Sequence, residues 1–180
     1  MADSVLPAYV DTRKVFLQQT QIKGIVALER LSRFKESLAS DVGKIWVSLN
    51  FSINESGQKL IRGKLSADIE VFCQRCLEPL TINLVDEIKL ILLSDENEIN
   101  RLAANLDPWV CSNYRLYLAR MIEEQLILCM PLITYHPDRV CLDKLKYKGR
   151  ALAQEVDSAQ ENKTMDDPKN PFHILKTLKE

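Results

Sequence analysis

From Ile45 to Leu92 the chain keeps a two-residue period, and few folds accept such a stretch. In KIWVSLNF, Ile45, Val47, Leu49 and Phe51 share one side of an extended strand. A turn follows at Asn54-Glu55-Ser56-Gly57. Ile61, Leu65, Ala67, Ile69, Val71 and Cys73 then take the odd positions, while Arg62, Lys64, Ser66, Asp68, Glu70 and Gln74 take the even ones. After Pro79 the parity changes, and Leu80, Ile82, Leu84, Ile88, Leu90 and Leu92 form the apolar set. Successive side chains of a strand point to opposite faces, so the pattern predicts antiparallel strands with one face buried and one wet. The order is strand, turn, strand, corner, strand.

Helical spacing appears on either side of this block. In ALERLSRFKESL, residues 27–38, Leu28, Leu31, Phe34 and Leu38 lie on one stripe, which predicts a short amphipathic helix. In RLYLARMIEEQLILCM, residues 115–130, Leu116, Ala119, Ile122, Leu126, Cys129 and Met130 do the same, and Pro131 stops the helix. Residues 13–28 mix Val15, Phe16, Ile22, Ile25 and Val26 with Gly24 and predict one or two early strands. Asp107, Pro108 and Trp109 read as a loop. The expected fold is therefore α+β: a mostly antiparallel β-sheet packed with one short and one long α-helix, in a single domain over residues 1–142. From 143 to 169 large apolar residues thin out into a polar linker. Residues 170–180, NPFHILKTLKE, suit a short amphipathic helix with Asn170 as N-cap and Pro171 at its first position. This segment can dock on its own domain or on a partner.

The chain of 180 residues carries a net charge of −1, so it lacks the overall basic excess with which many proteins displace counterions from nucleic acid. Contact with RNA then requires a local patch or a second protein. KLKYKGR interleaves Tyr147 with Lys144, Lys146, Lys148 and Arg150, cations for phosphates and a ring for an unpaired base. Arg75 joins these as an RNA-contact candidate. Arg62 and Lys64 on the wet sheet face, with Arg30, Arg33 and Lys35, can extend the patch, although Asp68 and Glu70 dilute it. No window reaches the roughly 18 apolar residues of a membrane span. The amino terminus, MADSVLPAYVDTRKVF, has no basic-then-apolar export pattern, so a cytoplasmic location is expected.

In VFCQRCLEPL, Cys73 and Cys76 stand at the corner between two strand patterns. Two cysteines with two residues between them make a common zinc half-site, and His136 with Cys141 in YHPDRVC is the available second half. The plainer reading is preferred: Cys73 falls on the apolar face, where a free thiol behaves as a small hydrophobe. No cofactor is therefore expected. A thioredoxin-like couple is disfavoured because the pair lies between strands and not at a helix N-terminus. The five cysteines, 73, 76, 111, 129 and 141, are expected as thiols or metal ligands. The search for catalytic residues finds none: there are two histidines, 136 and 173, and no phosphate-binding loop, dinucleotide fingerprint or nucleophile elbow. Glu123 and Glu124 are adjacent on a helix and diverge by about 100°; solvation or pairing with Arg120 is their expected role.

Three blocks, CQRCLEP at 73–79, EEQLILCMPLITYHPD at 123–138 and NPFHILKTLK at 170–179, resemble the bacterial YceD-like family, the large ribosomal RNA subunit accumulation proteins. The family pattern falls on Cys73, Arg75, Cys76, Glu78 and Pro79, on Glu124, Leu128, Pro131 and His136, and on Asn170, Pro171, Phe172 and Leu175. The resemblance implies a cytosolic, non-enzymatic factor in the synthesis, processing or stability of large-subunit (23S) rRNA. Its implied partners are that rRNA, a pre-ribosomal particle or a ribosomal protein, with no membrane and no small-molecule substrate. An adaptor that never touches RNA, or a small zinc-binding structural protein, is the alternative.

Overall fold

The structure, a computed structural model, describes residues 4–101, 106–137 and 141. By its contacts the chain divides into two units, Met1–Leu145 and Lys146–Glu180, and all described residues belong to the first. The polar linker and the carboxy-terminal segment expected from the sequence therefore lie outside the described residues.

Five strands form the main sheet in the order β2-β3-β4-β5-β6: β2 (Gln21–Val26), β3 (Gly43–Ile53), β4 (Lys59–Phe72), β5 (Pro79–Leu93) and β6 (Asp107–Val110). The first four pair antiparallel and β6 runs parallel to β5. The α+β, mostly antiparallel expectation holds, and the parity change lies where the sequence puts it, with Phe72 opposite Pro79. The inner face carries Ile45, Val47, Leu49, Phe51, Ile61, Leu65, Ile69, Val71, Leu84, Ile88 and Leu90, all buried. Against it pack α1 (Thr12–Leu17), α2 (Ser32–Lys35) and α3 (Leu118–Cys129). Phe16 of α1 meets Phe51 edge to face at 5.4 Å, an arrangement favoured by the ring quadrupoles. The amino-terminal segment borders β2: the Ile25 N–H donates to the Ser4 carbonyl and the Leu6 N–H to that of Ile25. Gly24 permits the approach, since a Cβ there would sit 2.5 Å from the Ser4 oxygen. No helix among the described residues is long and apolar enough to cross a membrane.

Four expectations about secondary structure are corrected. Residues 12–17 are helical and not extended, because Asp11 caps the segment by accepting from the Arg13 N–H at 3.0 Å. The stripe of Leu28, Leu31, Phe34 and Leu38 is buried as predicted, but the backbone divides between a 3-10 turn at Leu28–Arg30 and the single-turn α2. The first three residues of the expected long helix form β7 (Arg115–Tyr117), paired with β1 (Tyr9–Asp11), and α3 begins after them. Asp107–Val110 is no loop, since β6 extends the ladder from Leu90 to Leu93.

Glu123 is not solvated as expected, and the partner of Glu124, which stays partly exposed, is Arg33 and not Arg120. Glu123 is 8% exposed, and one carboxylate oxygen accepts from the backbone N–H groups of Arg33 (2.8 Å) and Phe34 (3.2 Å). The first N–H groups of a helix have no partner inside it, and no side chain at Leu31 caps α2. A carboxylate from α3 supplies that cap and also suits the positive end of the peptide dipoles. Glu124 pairs with the Arg33 guanidinium across the same junction. Replacing Glu123 with Ala should cost about 1–3 kcal/mol by leaving these donors without their acceptor. Glu123→Gln, which keeps an oxygen, should cost less. Urea denaturation of both variants checks the order, and equal losses would argue against the cap.

Candidate nucleic-acid interface and cysteine–histidine corner

The corner between β4 and β5 is a tight loop, Cys73 to Glu78. The Cys73 N–H donates to the Glu78 carbonyl at 2.9 Å and the Leu77 N–H to that of Cys73 at 2.8 Å. Leu77 closes the loop in the left-handed region, at φ 60°. Cys73 continues the inward parity of β4 and is fully buried; Cys76 is half-buried.

A second segment comes alongside. β3 begins at Gly43, opposite Ile69, so the β4 carbonyls beyond that point have no strand to accept from on that side. The Ala39 N–H serves Glu70, at 2.8 Å. The Thr134 hydroxyl serves Phe72 at 2.9 Å, and the Gln74 N–H donates back to the Thr134 carbonyl at 2.8 Å. The Gln74 side-chain amide also reaches the Leu132 carbonyl, at 3.3 Å. Helix α3 ends at Cys129, Met130 is already extended, and the chain beyond Pro131 runs past the end of β4 in place of the missing strand. Buried carbonyls need such partners.

This stitching gathers four donors. The sulfurs of Cys73, Cys76 and Cys141 and a ring nitrogen of His136 all lie within 4.8 Å of one another. Cys76 Sγ is 3.5 Å from His136 Nδ1. Burial pushes the Cys73 thiol up, but the backbone N–H groups of Cys76, Arg75 and His136 aimed at its sulfur outweigh burial and bring its pKa to about 6. Cys76 is displaced the other way, by burial and by the neighbouring Cys73 and Cys141 sulfurs. A cysteine beside a histidine also occurs in thiol catalysis, where a carboxylate or amide orients the ring. Here two further thiols complete the group, the donor chemistry of a metal site. The side chain of Arg75 is exposed above it, its guanidinium stacked 4.0 Å from the centre of the Tyr135 ring. Glu78 and Pro79 are exposed on the same corner.

The other face of the sheet is a second candidate. Pairing places Gln21, Asn50, Arg62 and Lys89 in one row across β2 to β5, Lys23, Ser48, Lys64 and Glu87 in the next, and Ile25, Trp46, Ser66 and Val85 in a third. Lys23, Arg62, Lys64 and Lys89 are exposed, and Trp46 is half-buried. Of the ion pairs among the described residues, one, Lys89 to Glu87, falls on this face. A shallow groove of about 450 Å³ runs between Lys23, Trp46, Lys64 and Val85. Beyond the Trp46 row, toward the corner, Asp68 stands opposite Lys44 and Glu70 follows, so carboxylates enter the face at that end. Sequence reasoning named Arg62 and Lys64 but missed Lys23, Trp46 and Lys89; the even position of Trp46 in KIWVSLNF already put it on the wet side.

The remaining sequence candidates separate. Arg30 donates to the Leu6 and Pro7 carbonyls, Arg33 joins Glu124, and Lys35 pairs with Asp41, so they do not extend the basic rows. Lys144, Lys146, Tyr147, Lys148, Arg150, Asn170, Pro171, Phe172 and Leu175 lie outside the described residues. Thr134 gives the test of the corner. Thr134→Val keeps its shape but leaves the Phe72 carbonyl without its donor, and should lower stability by about 1–2 kcal/mol in a denaturant titration. No measurable loss would show that this bond does not hold the segment.

Comparison with known proteins adds the lineage. The family model described as "Large ribosomal RNA subunit accumulation protein YceD" matches residues 61–179. The Haemophilus influenzae protein named "Large ribosomal RNA subunit accumulation protein YceD" is 26% identical over 176 residues, covering 97% of each chain. No solved structure matches the chain. The matched span takes in β4 from Ile61 onward, the corner, β5, α3 and the segment beyond it, and the chain belongs to the YceD family, which is associated with accumulation of large-subunit ribosomal RNA.

Proposed function

We propose that this chain is a non-enzymatic, cytoplasmic factor that acts in the synthesis, processing or stability of large-subunit rRNA by binding that RNA directly, on its own or within a pre-ribosomal particle. The observation that carries the reading is the polar sheet face. Three adjacent rows of this face put Lys23 and Lys64 next to the row of Trp46, with Arg62 and Lys89 one row further. Sheet surfaces of this kind suit unpaired bases, because every base can stack on an aromatic ring while cations follow the phosphates. Toward the corner Asp68, opposite Lys44, and Glu70 make the face less favourable to phosphates than the rows of Lys23, Arg62, Lys64 and Lys89. A net charge of −1 is compatible with this, since the cations are concentrated and not in excess. Arg75 at the corner and the basic run Lys144, Lys146, Tyr147, Lys148 and Arg150 are further contacts on this reading.

Replacing Lys23, Arg62 and Lys64 together with Gln should weaken binding to a single-stranded large-subunit rRNA fragment by about tenfold or more, and make the salt dependence shallower by about two units of slope. Trp46→Ala should lose about 1–3 kcal/mol of affinity with little change in that slope, because stacking releases no counterions. Fluorescence anisotropy at several salt concentrations reads both. Full affinity in the triple variant would remove this face from the interface. If the unmodified chain binds no rRNA fragment but still joins pre-ribosomal particles, it is a protein-interaction adaptor instead.

A further inference from the structure

We propose that Cys73, Cys76, His136 and Cys141 bind one zinc ion, a closed structural site that clamps the β4–β5 corner to the segment leaving α3. The inference stands apart from RNA binding and rests on the donors themselves.

Four-coordinate zinc with three thiolates and one imidazole needs donor atoms about 3.5–3.8 Å apart, given bonds of about 2.3 Å to sulfur and 2.0 Å to nitrogen. Cys76 Sγ and His136 Nδ1 already stand at 3.5 Å, and no pair in the group exceeds 4.8 Å. Closing the widest gap takes about an ångström, within the reach of small χ rotations. The four residues lie in separate parts of the chain, two in the corner and two beyond α3, so chance adjacency in sequence does not explain the convergence.

The surroundings fit a resident ion better than free thiols. Cys73 and Cys141 are 0% and 3% exposed, which shields two of the ligands from water. Thr134 and Gln74 fix the His136 segment against the corner through bonds that need no ion, so the site is assembled by the fold. Three soft sulfurs and a nitrogen exclude hard cations such as magnesium and calcium. Four protein ligands leave no open position, so the ion would not activate water. Its role is to hold the corner, and with it the Arg75–Tyr135 stack, in one arrangement.

The test uses the full chain, purified reduced and without chelators. Elemental analysis should find about one zinc per chain. Cobalt exchanged for the zinc should give the intense thiolate charge-transfer absorption and visible bands of a tetrahedral site. Cys76→Ser should lose stoichiometric metal, His136→Cys should keep it, and the bystander variants Cys111→Ser and Cys129→Ser should keep it too. A folded wild-type chain that arrives without metal and gives no cobalt–thiolate absorption overturns the proposal. So does stoichiometric zinc that survives Cys76→Ser and is lost in Cys111→Ser. Should Cys76→Ser fail to fold, the wild-type cobalt titration decides alone.

Discussion

The β4–β5 hairpin sets the terms for the rest of the molecule. Its strands run fourteen and fifteen residues, and its register holds from Lys59 opposite Leu92 to Phe72 opposite Pro79. A slip by one residue would send the whole apolar set to the other face. The buried face is therefore committed along its length, and α1, α2 and α3 gather there. The opposite face is left as the place where the sheet can meet another molecule, except near its far end, where Leu60, Ile91 and Leu93 form a small cluster.

The two candidate regions follow from this one element. Along the strands, the wet parity of β2, β3, β4 and β5 lines up cations and Trp46 in adjacent rows. At its end, β4 outruns β3, and the unpaired carbonyl of Phe72 and N–H of Gln74 recruit the chain leaving α3. That recruitment brings His136 to the cysteine corner. Both regions suit holding a partner or holding the chain together.

Much of the sheet was legible because period-2 alternation reports local geometry directly. Ile45 through Phe51 and Ile61 through Cys73 fall on the buried face as read, and the parity change after Pro79 is where the strand reverses. The errors fall where distant partners decide. Arg115–Tyr117 fits a helical stripe, yet Tyr9–Asp11 captures it into a two-stranded ladder. Glu123 looks like a surface residue until α2, ninety positions away in sequence, offers its bare N–H groups. The helix at 12–17 had a readable signal in Asp11 as N-cap, which the β-forming Val15 and Phe16 obscured. The Cys73–Cys76 pair and the His136–Cys141 pair could each be named from spacing, but their meeting depends on where β3 starts, which no spacing near residue 136 reveals.

Photocrosslinking of the full chain to a large-subunit rRNA fragment, with the attached peptides mapped by mass spectrometry, tests most directly whether the polar sheet face is the working surface. The account predicts adducts on the strands that carry Lys23, Trp46 and Lys64. Adducts confined to the α3 side of the domain, with the peptides of β2, β3 and β4 unmodified, would contradict it.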